Sequence, residues 1–109
     1  MLRRARTQVS FYGSTPNYAF QFDDLGFTGL TQELGAKMKA GDMGGMADLI
    51  SDEILQNFAV VAAWDDMADA LTDRYAGVAS RLVTYLTAED LARNPQNMGK
   101  WGEIAKAVA

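Results

Sequence analysis

Apolar side chains recur at three- and four-residue steps along most of the chain, and glycines interrupt this pattern at short intervals. The glycines that follow such stretches are Gly13, Gly26, Gly41 and Gly77. A step of three or four residues places side chains on one face of an α-helix, and glycine is favoured just beyond a helix end. The chain is therefore restricted to a series of short amphipathic helices.

The apolar stripes predict where these helices lie. Pro16, at a first helical position after Ser14 and Thr15, indicates one helix start, and Asp42 and Ser51 indicate two more as capping residues. Thr87 has the spacing of a capping box with Asp90. The predicted helices cover about 2–13, 16–25, 30–39, 42–50, 52–62, 62–75, 87–94 and 101–108, where Ala62 to Tyr75 is expected to form one long helix.

One stretch is typical of a β-strand. From Arg81 to Leu86, the residues Leu82, Val83 and Tyr85 make a nearly continuous apolar and aromatic run. Such a run is expected of a strand that is covered on both faces. The chain contains no second predicted strand that could pair with this one. The predicted order over about 65–107 is helix, strand, helix, as at one end of a parallel βαβ array.

The composition removes several kinds of chemistry. The 109 residues contain no histidine and no cysteine, which excludes thiolate nucleophiles, His-based triads and Cys- or His-ligated metals. We predict no catalytic residue and no metal ligand. A net charge of −4 argues against nucleic acid as a partner. No stretch approaches the ~20 apolar residues of a membrane span, so a cytoplasmic protein without a membrane partner is expected.

Several segments resemble a known family. The stretch Val9-Ser10-Phe11-Tyr12-Gly13-Ser14-Thr15-Pro16-Asn17-Tyr18 is similar to the segment after the seventh strand of luciferase-like monooxygenases, especially the deazaflavin-dependent branch. Leu49 to Leu55 and Phe58 to Val61 resemble that family's helix before its last βα unit. Arg81 to Leu86 resembles its eighth strand. One departure is Ala62-Ala63-Trp64, where relatives commonly have Gly-Thr-Pro.

The resemblance implies a fold and an activity. Residues 1–109 would form a single, mainly α domain, the helical C-terminal fragment of a (β/α)8 TIM barrel with one strand near 81–86. The parent enzyme would be a flavin- or deazaflavin-dependent oxidoreductase or monooxygenase that uses FMN or coenzyme F420. Because a complete barrel needs roughly 250 residues, the isolated chain is expected to hold no cofactor and to be inactive. Its substrate stays open.

Ser14 and Thr15 are the candidate cofactor-binding residues. They lie at a predicted helix start, where exposed backbone N–H groups attract phosphate, and barrel enzymes often hold phosphate near strands seven and eight. A helix cap before Pro16 is the commoner role of such residues and is favoured over phosphate binding.

The alternative function is that of a freestanding helical module that self-associates or binds a protein. The aromatic residues and three apolar stripes (Tyr18-Phe22-Leu25, Ile54-Phe58-Val61 and Trp101-Ile104-Val108) exceed what one short chain is expected to bury. A symmetric homo-oligomer is therefore predicted, in which the 81–86 segment pairs with its copy or is replaced by helix at the interface.

Overall fold

The computed structural model describes residues 1–109, and all of its regular structure is helical. The chain divides into two compact units, Met1–Ala59 and Val60–Ala109. Short 3-10 helices at Pro16–Tyr18 and Pro95–Asn97 precede α2 and α8. The mainly α prediction is confirmed. The α-helices are α1 (Leu2–Gly13), α2 (Ala19–Asp24), α3 (Leu30–Lys39), α4 (Met43–Asp48), α5 (Asp52–Phe58), α6 (Met67–Tyr75), α7 (Thr87–Arg93) and α8 (Met98–Val108).

The first unit, α1 to α5, has a closed apolar core. The rings of Phe22 and Phe58 stack with their centroids 4.7 Å apart. Burial of so many large apolar side chains is the main force that stabilises a unit of this size. The buried core residues are Phe22, Leu30, Leu34, Met46, Ile50, Ile54 and Leu55.

Two arginines of α1 attach this helix to the end of α4 and the start of α5. Arg3 donates to a carboxylate oxygen of Asp48 at 2.5 Å. Arg6 donates to the backbone carbonyl of Ile50 at 2.6 Å and also pairs with the carboxylate of Asp52. Arg3 and Arg6 therefore have a structural role in the first unit.

Helix starts in the first unit follow the predicted capping residues. The carboxylate of Asp42 accepts a hydrogen bond from the Gly45 amide at 2.8 Å, and the Ser51 hydroxyl accepts one from the Ile54 amide at 3.2 Å. Each bond satisfies an N–H group that has no partner within its own helix. These caps place α4 and α5 where the sequence predicts them.

The second unit packs α6 against α8 and carries α7 beside the start of α8. Its buried residues are few, namely Ile104 and Asp90. The Trp64 and Trp101 rings meet edge to face with their centroids 5.1 Å apart. Aromatic and polar contacts therefore hold this unit together to a greater degree than an apolar core does.

The predicted strand at 81–86 is wrong. Residues 81–84 are irregular, a turn follows at 85–86, and Leu86 has a positive φ of 67°. Val83 is 85% exposed and Tyr85 is 70% exposed. A strand needs a neighbour to satisfy its backbone groups, and no other extended segment pairs with this one, so its apolar sequence alone does not produce a ladder.

The bounds of α5 and α6 and the cap of α7 also differ from the prediction. Helix α5 ends at Phe58 and α6 begins at Met67, so the continuous helix predicted from Ala62 to Tyr75 is wrong over residues 62–66. Residues 60–63 are irregular and 64–66 form a turn. Thr87 does not cap α7, because Leu86 occupies the N-cap position and the Thr87 hydroxyl accepts no cap hydrogen bond.

None of the helices is both long enough and apolar enough to cross a lipid bilayer.

Candidate functional site

The turn after α1, which holds the candidate residues Ser14 and Thr15, is packed into the first unit. A side chain added at Gly13 would lie 2.9 Å from both the Leu34 side chain and the Phe22 ring. Ser14 is buried, and its hydroxyl donates to the carbonyl of Phe11 at 2.6 Å. Glycine is therefore needed at position 13, where α1 packs closely against α2 and α3.

The backbone amides at this turn are already engaged. The Ser14 amide donates to the carbonyl of Ser10 at 3.0 Å, and the Thr15 amide donates to that of Tyr12 at 3.1 Å. A phosphate cradle requires amides that are free to point at the ligand. Because the Ser14 and Thr15 amides are bonded within the chain, this turn does not present them to a cofactor phosphate. The Thr15 side chain makes no cap hydrogen bond.

Aromatic residues near this turn are more exposed than a core would leave them. Phe11, Tyr12, Tyr18 and Phe20 are between 41% and 59% exposed, while Phe22 is buried. Phe11 meets Tyr12 edge to face with centroids 5.7 Å apart, and Tyr12 lies 6.4 Å from Tyr18. We call the four exposed residues Phe11, Tyr12, Tyr18 and Phe20 the aromatic patch.

A groove of about 580 Å³ lies in the second unit between α6, α8 and the irregular segment that follows α6. Leu71 and Tyr75 of α6 line one side, and Trp101, Ile104 and Val108 of α8 line the other. The volume is within the range of small-molecule sites, about 300–1,000 Å³. This alpha groove, as we name it, is therefore large enough to hold a ligand of modest size.

The polar groups of the alpha groove are contributed by the irregular segment and by the start of α7. Ser80, Arg81, Thr84 and Thr87 line it, and Arg81 is the one charged side chain among its lining residues. The Thr87 hydroxyl oxygen is buried and has no hydrogen-bond partner. A mostly apolar surface with a few polar groups is the usual composition of a ligand site.

One wall of the alpha groove is fixed by Asp90. This residue is 7% exposed, and its carboxylate accepts from the Trp101 indole and from the Asn97 and Asn94 side-chain amides, each at 3.1 Å. The hydrogen bond from Trp101, followed by that from Asn97, lowers the pKa of Asp90 below its usual value of 3.8. A charged Asp90 thus holds the Trp101 ring in place.

The Trp101 ring also contacts Trp64, over which the Lys100 ammonium lies at 5.1 Å from the ring centroid. That distance is within the range of a cation–π interaction. The two tryptophans of the chain therefore lie together, and Trp101 is the one of them that lines the alpha groove.

Sequence reasoning missed most of the alpha groove. It assigned Trp101, Ile104 and Val108 to an apolar helix face, and it used Arg81 only as the start of a strand. The one available signal was Asp90, an acidic residue followed at helical spacing by Asn94, Asn97 and Trp101. That spacing of donors around a carboxylate indicates a hydrogen-bonded cluster.

The chain is similar to uncharacterized proteins of Mycobacterium bovis and of two strains of Mycobacterium tuberculosis. It is 41% identical to each over 83 residues, which are 76% of this chain and 24% of the relative. The chain thus matches about a quarter of the length of these curated relatives. No family model matches the chain. No solved structure matches it either.

Proposed function

We propose that this chain corresponds to the helical C-terminal portion of a luciferase-like, flavin- or deazaflavin-dependent oxidoreductase. The observation that carries the proposal is that the matched segment makes up most of this chain but only a small part of each relative. Most of this chain matches only 24% of each mycobacterial protein, so each relative is about four times as long as the matched segment. That length accommodates a complete (β/α)8 barrel, which typically needs about 250 residues.

The role of the chain within such a protein is packing. The segments that carry the family resemblance supply Ile50, Ile54 and Leu55, which are buried in the core of the first unit, and Phe58, which stacks on Phe22. Core residues of this kind fix the positions of helices without contacting a substrate. The reacting groups and the FMN or coenzyme F420 site would lie in the rest of the enzyme.

The purified chain should therefore show no oxidoreductase turnover. Reduced FMN and reduced coenzyme F420 are each mixed with the chain, and their oxidation is followed by absorbance against a buffer control. We expect equal rates with and without protein, because the strands that would form most of the pocket are absent from this sequence. Protein-dependent oxidation that saturates with cofactor would overturn the expectation.

The family assignment itself is tested on a long relative. The full-length Mycobacterium tuberculosis protein is purified and titrated with FMN and with coenzyme F420, and binding of one of them is expected. A chimera, in which the matched residues of this chain replace those of the relative, should retain that binding if the segment serves packing. A well-folded relative that binds neither cofactor would refute the assignment.

Self-association is a second candidate function, and the aromatic patch favours it. Phe20 is 59% exposed and Phe11 is 51% exposed. Exposed aromatic clusters of this kind commonly mark interaction surfaces. A second copy of the chain would cover the aromatic patch and remove these rings from water.

Light scattering distinguishes a monomer of 11.9 kDa from an even-numbered oligomer. Phe20→Ser should shift an oligomer toward monomer, whereas Gln21→Ser, an exposed polar position on the same helix, should not. A monodisperse monomer at micromolar concentration would exclude this function. An oligomer that is equally insensitive to both substitutions would exclude the aromatic patch as its interface.

A further inference from the structure

We propose that residues 80–85 are a self-pairing site, at which a second copy of this chain adds an antiparallel strand about a twofold axis at Val83. We call residues 80–85 the pairing segment. It lies in the second unit, whereas the aromatic patch lies in the first. Its pairing requires neither a cofactor nor the rest of a longer enzyme, so it is separate from both functions proposed above.

The backbone of the pairing segment is free to join a ladder. None of its amides donates a hydrogen bond within the chain. Residues 81–84 belong to neither a helix nor a turn, and a turn at 85–86 follows them. An exposed segment with unpaired backbone groups is a ready template for a further strand. The segment can therefore pair without the loss of an amide hydrogen bond or of a helix.

The side chains of the pairing segment favour a strand with one covered face. Leu82 and Thr84 line the alpha groove. At the alternate positions, Val83 is 85% exposed and Tyr85 is 70% exposed. Side chains of a strand point alternately to its two faces, and β-branched and aromatic residues favour strands. The single chain lacks only a neighbouring strand, which a second copy supplies.

Charge determines the register and favours a second copy as the occupant. Arg81 is the one charged residue between positions 76 and 88. A twofold axis at Arg81 would place two guanidinium groups opposite each other, which is unfavourable. An axis at Val83 instead places Arg81 opposite Tyr85 of the other copy, where the cation can lie against the aromatic ring. The pairing segment is thus complementary to its own antiparallel copy. Because the contact is small, a weak dimer is expected.

A cysteine at the axis detects the pairing directly, because the chain has no cysteine of its own. Opposed residues of antiparallel strands have Cα atoms about 4.5–5.5 Å apart, within the range of a disulfide. With oxidised glutathione, Val83→Cys should form a disulfide-linked dimer roughly tenfold or more faster than Val78→Cys. Val78 is 82% exposed and lies outside the pairing segment, so its variant measures random collision. Equal rates for the two variants would refute the axis at Val83.

Charge substitutions at the axis test whether the occupant is a second copy. Val83→Lys and Val83→Glu should each stay monomeric by sedimentation up to about 1 mM, because each places like charges opposite one another. An equimolar mixture of the two should restore the dimer, and Val78→Lys should dimerise as the unsubstituted chain does. All variants are compared in the Phe20→Ser chain, so that the aromatic patch does not contribute.

Three results would overturn the proposal. They are a Phe20→Ser chain that stays monomeric at about 1 mM, a Val83→Lys variant that associates as strongly as Val78→Lys, and a mixture of the lysine and glutamate variants that stays monomeric. Circular dichroism should show unchanged helix content in each variant, because Val83 is exposed. Infrared spectra should show a β-sheet band that grows with concentration and is absent from Val83→Lys. Dimers without that band would also refute strand pairing.

Discussion

The indole N–H of Trp101 donates to a carboxylate oxygen of Asp90 across 3.1 Å, and this hydrogen bond joins α7 to α8. Asn97 donates to the same oxygen and Asn94 to the other. Both carboxylate oxygens are thus satisfied, which a nearly buried charge requires. This polar cluster stabilises the second unit, whereas apolar packing stabilises the first.

Acid should weaken the second unit through Asp90. Its pKa is lowered in the folded state, mainly by the Trp101 hydrogen bond and next by that from Asn97. A depressed carboxyl pKa contributes stability above the unfolded-state value of 3.8, and this contribution is lost as the pH falls through the folded-state pKa. Urea unfolding followed by circular dichroism, from about pH 5 to about pH 2, should show this loss.

Asp90→Asn isolates that contribution from those of other carboxylates. The variant should be less stable than wild type at neutral pH, and the difference should shrink in acid because wild-type Asp90 becomes neutral there. Trp101→Phe, which keeps a ring but removes the N–H donor, should reduce the same pH-dependent difference. A gap between wild type and Asp90→Asn that is constant with pH would contradict this assignment.

The helices of the first unit could be predicted from the sequence because each start or end has a local cause. Ser51 and Asp42 cap helices through hydrogen bonds to amides three residues later. Gly26 and Gly41 have φ values of 92° and 72°, which glycine adopts without strain. Such signals lie within a few residues of the boundaries that they determine.

The second unit was harder to predict because its structure depends on contacts distant along the chain. Arg81 to Leu86 has the composition of a strand but lacks a strand beside it. Thr87 and Asp90 have capping-box spacing, but the Asp90 carboxylate bonds to residues up to Trp101 instead. The alpha groove was missed for the same reason, because its lining joins α6, α8 and the segment between α6 and α7.

Removal of a buried hydroxyl should stabilise the first unit. Thr31 is 5% exposed, and its hydroxyl oxygen has no hydrogen-bond partner. Thr31→Val keeps the shape of the side chain and removes the unpaired polar atom, so a gain of about 1 kcal/mol in the free energy of unfolding is expected. Thr28→Val, at an exposed position, should change the stability by less than about 0.5 kcal/mol. Destabilisation by Thr31→Val would mean that the hydroxyl is bonded in solution.

The Ser51 cap should contribute measurably to the stability of α5. Its hydroxyl accepts from the Ile54 amide at 3.2 Å, and Asp52 and Glu53 follow in the first turn. Ser51→Ala should lower the free energy of unfolding by about 1 kcal/mol, as is typical when a capping oxygen is removed. Ser51→Asp should retain most of the stability because its carboxylate can accept the same bond. Equal losses in both variants would indicate that the serine side chain acts by another contact.

Two glycines in helices should respond in opposite ways to the same substitution. Gly35 lies inside α3, and a Cβ there would meet no atom within 4 Å, so Gly35→Ala should raise the free energy of unfolding by about 0.5–1 kcal/mol. Gly13 ends α1, and its added Cβ would lie 2.9 Å from the side chains of Leu34 and Phe22.

Those two side chains have no free space into which to move, because Leu34 is 0% exposed and Phe22 is 2% exposed. Overpacking of this kind typically costs about 1–3 kcal/mol, so Gly13→Ala should lower the free energy of unfolding despite the better helix propensity of alanine. Urea unfolding of the two variants beside wild type measures both effects. A stability gain from Gly13→Ala would show that α1 can shift away from α2 and α3, and that close packing at Gly13 does not hold the three helices in place.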